Sequence, residues 1–210
     1  MGRGDVSSMI KKPQSIDDFR AHLLACLTSK KFLEGKSLGS QAPIFIAAHH
    51  PIFESENVNL PEWLVENSAL LGSTVVHFDV FSEMIASLED QGILTNLLDQ
   101  ERSGFLGQRS LTVAIHSAAQ LSKWISARIE KELLEKQATA IVFSGLGMGY
   151  PYFRASELVG ILEISQLSIP AVVLFPGTFD STLRSPLLKL FGQIDEIHNY
   201  RALDIFNYEP

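Results

Sequence analysis

The sequence predicts an α/β protein: a mostly parallel sheet with helices on both faces, a three-layer architecture of the P-loop-like or Rossmann-like kind that lacks a functional phosphate loop. Three observations predict it. Short apolar runs alternate with amphipathic helical patterns along the chain, the signature of strand–helix–strand units. The runs "APIFIAA", "STVVHFDV", "TAIVFS" and "IPAVVLFPG" are nearly continuous in apolar residues, as strands buried on both faces are. A glycine-rich turn, "SGLGMGYPYFRAS", follows the third run, where parallel sheets carry their ligand-facing loops.

Taken in order, residues 1–14 are polar and read as a flexible lead-in, with 15–210 as one α/β domain. Ser15 caps the first helix, Asp17 and Asp18 suit its positive end, and Phe19, Leu23, Leu24 and Leu27 repeat at helical spacing. Cys26 falls on the same stripe and reads as a core thiol. The first strand spans Ala42 to Ala48 and ends in His49-His50-Pro51. A helix from Pro61 to Leu71 follows, with proline in its first turn. After the second strand, Asp79 or Ser82 caps "FSEMIASLED", and "GILTNLLDQE" continues helically. One long helix runs from Ser110 to Lys136 on a stripe that includes Leu111, Ile115, Leu121, Ile125 and Ile129. These helices form an insertion at about 80–137 between the second and third strands. The third strand covers 139–144, and a helix follows the glycine turn from Ser156 to Gln166. Pro176-Gly177 stops the fourth strand, "LLKLFG" is short and helical or irregular, and "YRALDIF" is the last strand.

The bulk numbers narrow the function. Hydrophobic residues make up 46% and charged residues 20%, enough to bury a full core. A net charge of −7 disfavours nonspecific DNA binding. One cysteine allows neither an intramolecular disulfide nor a thiolate metal cluster, which fits a reducing cytosol. No run resembles a signal peptide or a membrane span, so the expected location is cytoplasmic.

The glycine turn is the first candidate site. Backbone N–H groups of Gly145, Gly147 and Gly149 form a possible anion nest, with Arg154 and Arg184 as nearby cations. A P-loop needs G-x-x-x-x-G-K-[ST], but Tyr150 and Pro151 stand at the second glycine and the lysine. A dinucleotide turn needs G-x-G-x-x-G, and Gly149 comes one residue early. The alternative is a turn that brings Tyr150, Tyr152, Phe153 and Arg154 to a surface. Aromatic residues with arginine are what interface centres favour, and Tyr200 with Arg201 repeat the pairing. His49 and His50 are adjacent on a strand and point to opposite faces, so they do not share a metal. His22, His77, His116 and His198 show no ligand spacing. Asp79, Glu157 and Asp180 are carboxylates near the ligand end. Ser144 lies outside any G-x-S-x-G elbow. No catalytic residue, metal or cofactor is assigned.

Five segments then carry a resemblance: "FLEGK" at Phe32 to Lys36, the turn from Gly145 to Arg154, Phe175-Pro176-Gly177, Leu190-Phe191-Gly192 and Tyr200-Arg201-Ala202. In this order they resemble the BrxB family of bacteriophage exclusion (BREX) defence islands. Ala155 and Ser156 depart from that pattern, which has serine and histidine after the arginine. The resemblance implies an antiviral component that works beside a PglZ-like protein, a PglX-like methyltransferase and a BrxC-like ATPase. With the residue reading, it implies a noncatalytic adaptor whose partner is the PglZ-like protein. The alternative is a nucleotide or nucleic-acid binder using the glycine turn and nearby arginines.

Overall fold

A computed structural model of the chain describes residue 13 and residues 15–35, 43–53, 59–104, 107–182, 186–197 and 201–210. Except for Pro13, the expected lead-in lies outside them, as do Arg184, His198 and Tyr200. The chain runs through α1 (Ile16–Thr28), the short α2 (Lys30–Leu33), β1 (Ile44–His49), α3 (Leu60–Leu70) and β2 (Val75–Asp79). Four helices follow: α4 (Val80–Asp90), α5 (Leu94–Ser103), α6 (Gln108–Ala119) and α7 (Leu121–Lys136). Then come β3 (Ala140–Ser144), the single turn α8 (Leu146–Gly149), α9 (Ala155–Ile164) and β4 (Ala171–Asp180). The chain ends with β5 (Leu187–Leu190), β6 (Ile194–Ile197), β7 (Leu203–Asp204) and a 3-10 turn, Ile205–Asn207.

Five strands lie in the order β2–β3–β4–β1–β7, each parallel to its neighbours. From β1 the chain crosses to the far edge through α3, then steps back through β3 to β4 by way of α4 to α9. Right-handed crossovers running in opposite directions must pass over opposite faces. The core divides accordingly. Phe45, Ala47, Val142, Val172 and Leu174 pack against α1, α2 and α3. Their alternates Ile44, Ile46, Phe78, Ile141, Phe143 and Val173 pack against α4 to α9. Period-two alternation along each strand serves both layers. The sheet is therefore mostly parallel and covered by helices on both faces.

The local signals at helix starts are realised as side-chain caps. Ser15 Oγ accepts the Asp18 N–H at 3.1 Å, and Asp79 Oδ1 accepts the Ser82 N–H at 2.7 Å.

Four elements differ from expectation. The long helix is two: Gln120 takes a left-handed conformation, φ 43°, between α6 and α7. The Ser87 hydroxyl donates to the Ala119 carbonyl at this break, satisfying an acceptor that a continuous helix would have used. The apolar stripe survives because Leu111, Ala119, Leu121 and Ile125 all reach the same core. Second, β4 does not stop at Pro176-Gly177. It pairs with β1 as far as Pro176 and then with β5, antiparallel, from Gly177 to Asp180. A Cβ on Gly177 would overlap the Lys189 carbonyl, so this close approach requires glycine. Third, "LLKLFG" forms β5 and the first turn of a hairpin with β6, with Leu188 and Leu190 on its buried side. Phe191 and Gly192, both at positive φ, make the turn. The expected last strand is reduced to the two residues of β7.

Candidate functional site

Carboxyl ends of parallel strands are the usual ligand end, and here two places on it are built differently. After β1 the chain turns toward the face that carries α3. Its neighbour β4 continues to pair with the β5–β6 hairpin, and Phe179 of β4 packs with Leu188 and Leu190 of β5 on the other face. The divergence opens a crevice of about 580 Å³, lined by Phe19, His49, His50, Phe53, Thr178 and Phe191 among others. No Lys, Arg, Asp or Glu is among its described lining residues. His49 is buried and His50 exposed, as opposite-facing neighbours. The His49 ring stands edge-on to Phe19 at 5.4 Å and parallel to Phe53 at 6.5 Å. Burial pushes its pKa below the ordinary 6.5.

The glycine turn follows β3. Gly145 takes φ 80°, and α8 completes one helical turn through Gly149. The Gly149 N–H donates to the Gly145 carbonyl at 2.9 Å, and the Tyr152 and Phe153 N–H groups donate to the Gly149 carbonyl at 2.8 and 3.0 Å. The Gly149 N–H is thus committed within the turn. Phe153 is 3% exposed and belongs to the core. Tyr150 and Tyr152 are half-buried, and Arg154 is exposed. Tyr152 and Phe153 border a cavity of about 410 Å³ between α6, α7 and α9. Met84, Leu121 and Phe153 line it with apolar surface, while Lys123 and the pair His116–Glu157, Nε2 to Oε2 2.9 Å, add polar groups.

Arg154 precedes α9 and lies close enough to stabilise the carboxylate of Glu196. Glu196 is buried on β6 and accepts the Ser156 N–H at 3.2 Å at the start of α9. Burial pushes its pKa up, against the pull of those N–H groups and Arg154. The Arg201 N–H instead donates to Glu163 Oε1 at 3.2 Å, near the last turn of α9. At 1.5 Å of rise per residue, the backbones of Arg154 and Glu163 stand roughly 14 Å apart. The two arginines are therefore tied to opposite ends of α9.

A third cluster escaped sequence reasoning. β2 pairs with β3 so that Asp79 lies opposite Ser144. Ser144 Oγ donates to Asp79 Oδ2 at 3.1 Å and lies 2.8 Å from His77 Nε2. His77 Nδ1 stands 3.8 Å from Glu62 Oε1. The order carboxylate–histidine–serine invites comparison with a hydrolytic triad. Two distances argue otherwise. At 3.8 Å Glu62 is beyond hydrogen-bond reach and does not orient the imidazole. At 3.1 Å the Ser144 hydroxyl donates to Asp79, so its proton is not held by the imidazole that would have to remove it. Burial pushes the His77 pKa below 6.5, against the pull of Glu62, Asp79 and Glu83. Among the described residues no group of three or more His, Cys, Asp or Glu is placed to hold a metal ion, and no helix is long and apolar enough to cross a membrane.

A family model described as BREX protein BrxB matches residues 76–205. The chain belongs to the BrxB family. It is also similar to the BREX protein BrxB of Bacillus cereus (strain H3081.97), with 27% identity over 190 residues, 88% of this chain and 94% of the relative. No solved structure matches it significantly. The stretch matched to the BrxB model runs from β2 to Ile205. It contains the whole glycine turn and the Asp79–Ser144 contact, but only the β4 and hairpin side of the crevice.

Proposed function

We propose that this BrxB-family protein is a noncatalytic adaptor of the BREX phage-defence system, and that it docks on another component through the face of the glycine turn. The PglZ-like protein of the same system is the partner to test first. One observation carries the reading: half-buried Tyr152 lines a 410 Å³ cavity with both apolar and polar side chains, and Arg154, two residues on, is exposed. An apolar floor flanked by aromatic and arginine side chains is the anatomy of an interface hot spot. The crevice lining supports the same side of the choice, because its described residues supply no cation for a phosphate.

The experiment is capture of purified PglZ-like, PglX-like and BrxC-like components on the immobilised protein at micromolar concentration. Stoichiometric capture of the PglZ-like protein is expected. Arg154→Glu should weaken it about tenfold or more while the variant stays folded. Capture of none of the three, together with saturable binding of ATP or GTP by calorimetry, would replace the adaptor with a nucleotide binder.

A further inference from the structure

Asp79 makes three contacts at the end of β2. Oδ1 accepts the Ser82 N–H at 2.7 Å and caps α4. Oδ2 accepts the Ser144 hydroxyl at 3.1 Å. The carboxylate also lies against Gly145, where a Cβ would come within 2.5 Å of Oδ2. Glycine at this position therefore answers two demands, the positive φ of 80° and the seat of a neighbouring carboxylate.

Proton counting sets a direction. A carboxylate only accepts, and a serine hydroxyl has one proton to give. Ser144 spends that proton on Asp79, so its oxygen is left to accept from His77. The chain reads His77 Nε2–H to Ser144 Oγ–H to Asp79 Oδ2. A turn with three glycines in five residues is loosely specified by its own backbone. An interface presented from it needs an outside constraint, because ordering a loop on binding costs affinity.

We propose that Asp79 is the positioning residue of the glycine turn: its carboxylate fixes how the chain enters 145–154, and through Ser144 it holds His77 as the Nε2–H tautomer. What the turn is positioned for rests on the adaptor reading above; the positioning itself does not. The pose of Tyr150, Tyr152 and Arg154 then depends on a residue outside the turn, 66 positions before Gly145 in the sequence.

Two variants separate seating from capping. Asp79→Ser keeps a good N-cap for α4 but is too short to reach Ser144 and Gly145 together. Asp79→Asn keeps the shape: its amide oxygen caps, its NH2 donates to Ser144 Oγ, and the Ser144 hydroxyl turns to His77 Nε2. Hydrogen exchange of amides 145–154 should rise roughly tenfold or more in Asp79→Ser and stay within about threefold of wild type in Asp79→Asn. Nitrogen-15 NMR of the imidazoles should show His77 as Nε2–H in the wild type and Nδ1–H in Asp79→Asn. Unchanged exchange in Asp79→Ser would reduce Asp79 to a helix cap. An Nδ1–H tautomer in the wild type would overturn the chain even if Asp79→Ser fails to fold. Capture of the PglZ-like protein should fall about tenfold in Asp79→Ser. If the wild type captures nothing, the adaptor reading falls, while exchange and tautomer still decide the role of Asp79.

Discussion

At the end of β1 the chain leaves a crevice of about 580 Å³ walled by aromatic rings and histidines. At the end of β3, two strands away, the space above the sheet is filled by the Asp79 carboxylate, the Ser144 hydroxyl and the Gly145 backbone. The first place has no glycine-rich signature on β1, and the second has three glycines in five residues. Openness follows topology: neighbouring strands whose continuations diverge to opposite faces leave a gap. Glycine content follows close approach, which fills a gap as readily as it admits a ligand.

The largest effect is expected from Gly177→Ala, at the crevice. A methyl group there meets the Lys189 carbonyl, and the β5–β6 hairpin would have to leave β4. A loss of roughly 4 kcal/mol or more in urea unfolding is expected. A loss below about 1 kcal/mol would mean that the hairpin does not seal that side.

Phe153→Ala comes next, at about 3–4 kcal/mol for a fully buried ring. Tyr152→Ala, at a half-buried residue of the cavity lining, should cost much less stability and more partner capture. Equal stability losses would erase the distinction between the anchor and the presented face of the turn.

Gly145→Ala should cost about 2 kcal/mol, part from the left-handed backbone and part from the Asp79 contact. In an Asp79→Ser background the second part should disappear. Strictly additive losses in that double-mutant cycle would separate Gly145 from Asp79.

The smallest expected effect is with pH. His49 at the crevice and His77 beside the turn are both held below the ordinary 6.5 by burial. Each binds its proton less readily folded than unfolded, so stability is full above pH 6.5 and is lost as pH falls through the folded value. Glu196 opposes them: its raised carboxyl pKa favours the fold at low pH, and that contribution fades as pH rises above 4.5. His49→Gln should flatten the decline in thermal midpoint below pH 6.5. An unchanged decline would assign it to His77 or the carboxylates.

Much of the fold was legible because its signals are local. Ser15 announced the first helix and Asp79 or Ser82 the helix after β2, by chemistry three residues long, and Ser15 and Asp79 form the caps. Four apolar runs announced the parallel core, and all four are strands. The site was less legible. Phe153 and Arg154 are neighbours in the sequence with opposite fates, one buried and one exposed. Arg154 and Arg201 looked alike and lie toward opposite ends of α9. Ser144 and His77 carried no motif, because their contact spans 67 positions and exists only through the pairing of β2 with β3.

By itself the sequence determined the layer architecture, the capped starts of α1 and α4 and the family resemblance, since periodicity, capping and ordered motifs are properties of neighbouring residues. Tertiary structure decided the break at Gln120, the extension of β4 beyond Pro176 and the carboxylate seat beneath Gly145. Each of these depends on an acceptor or a space supplied from a distant part of the chain: the Ser87 hydroxyl, the β5 backbone and the end of β2. Local propensity holds no information about which distant group arrives.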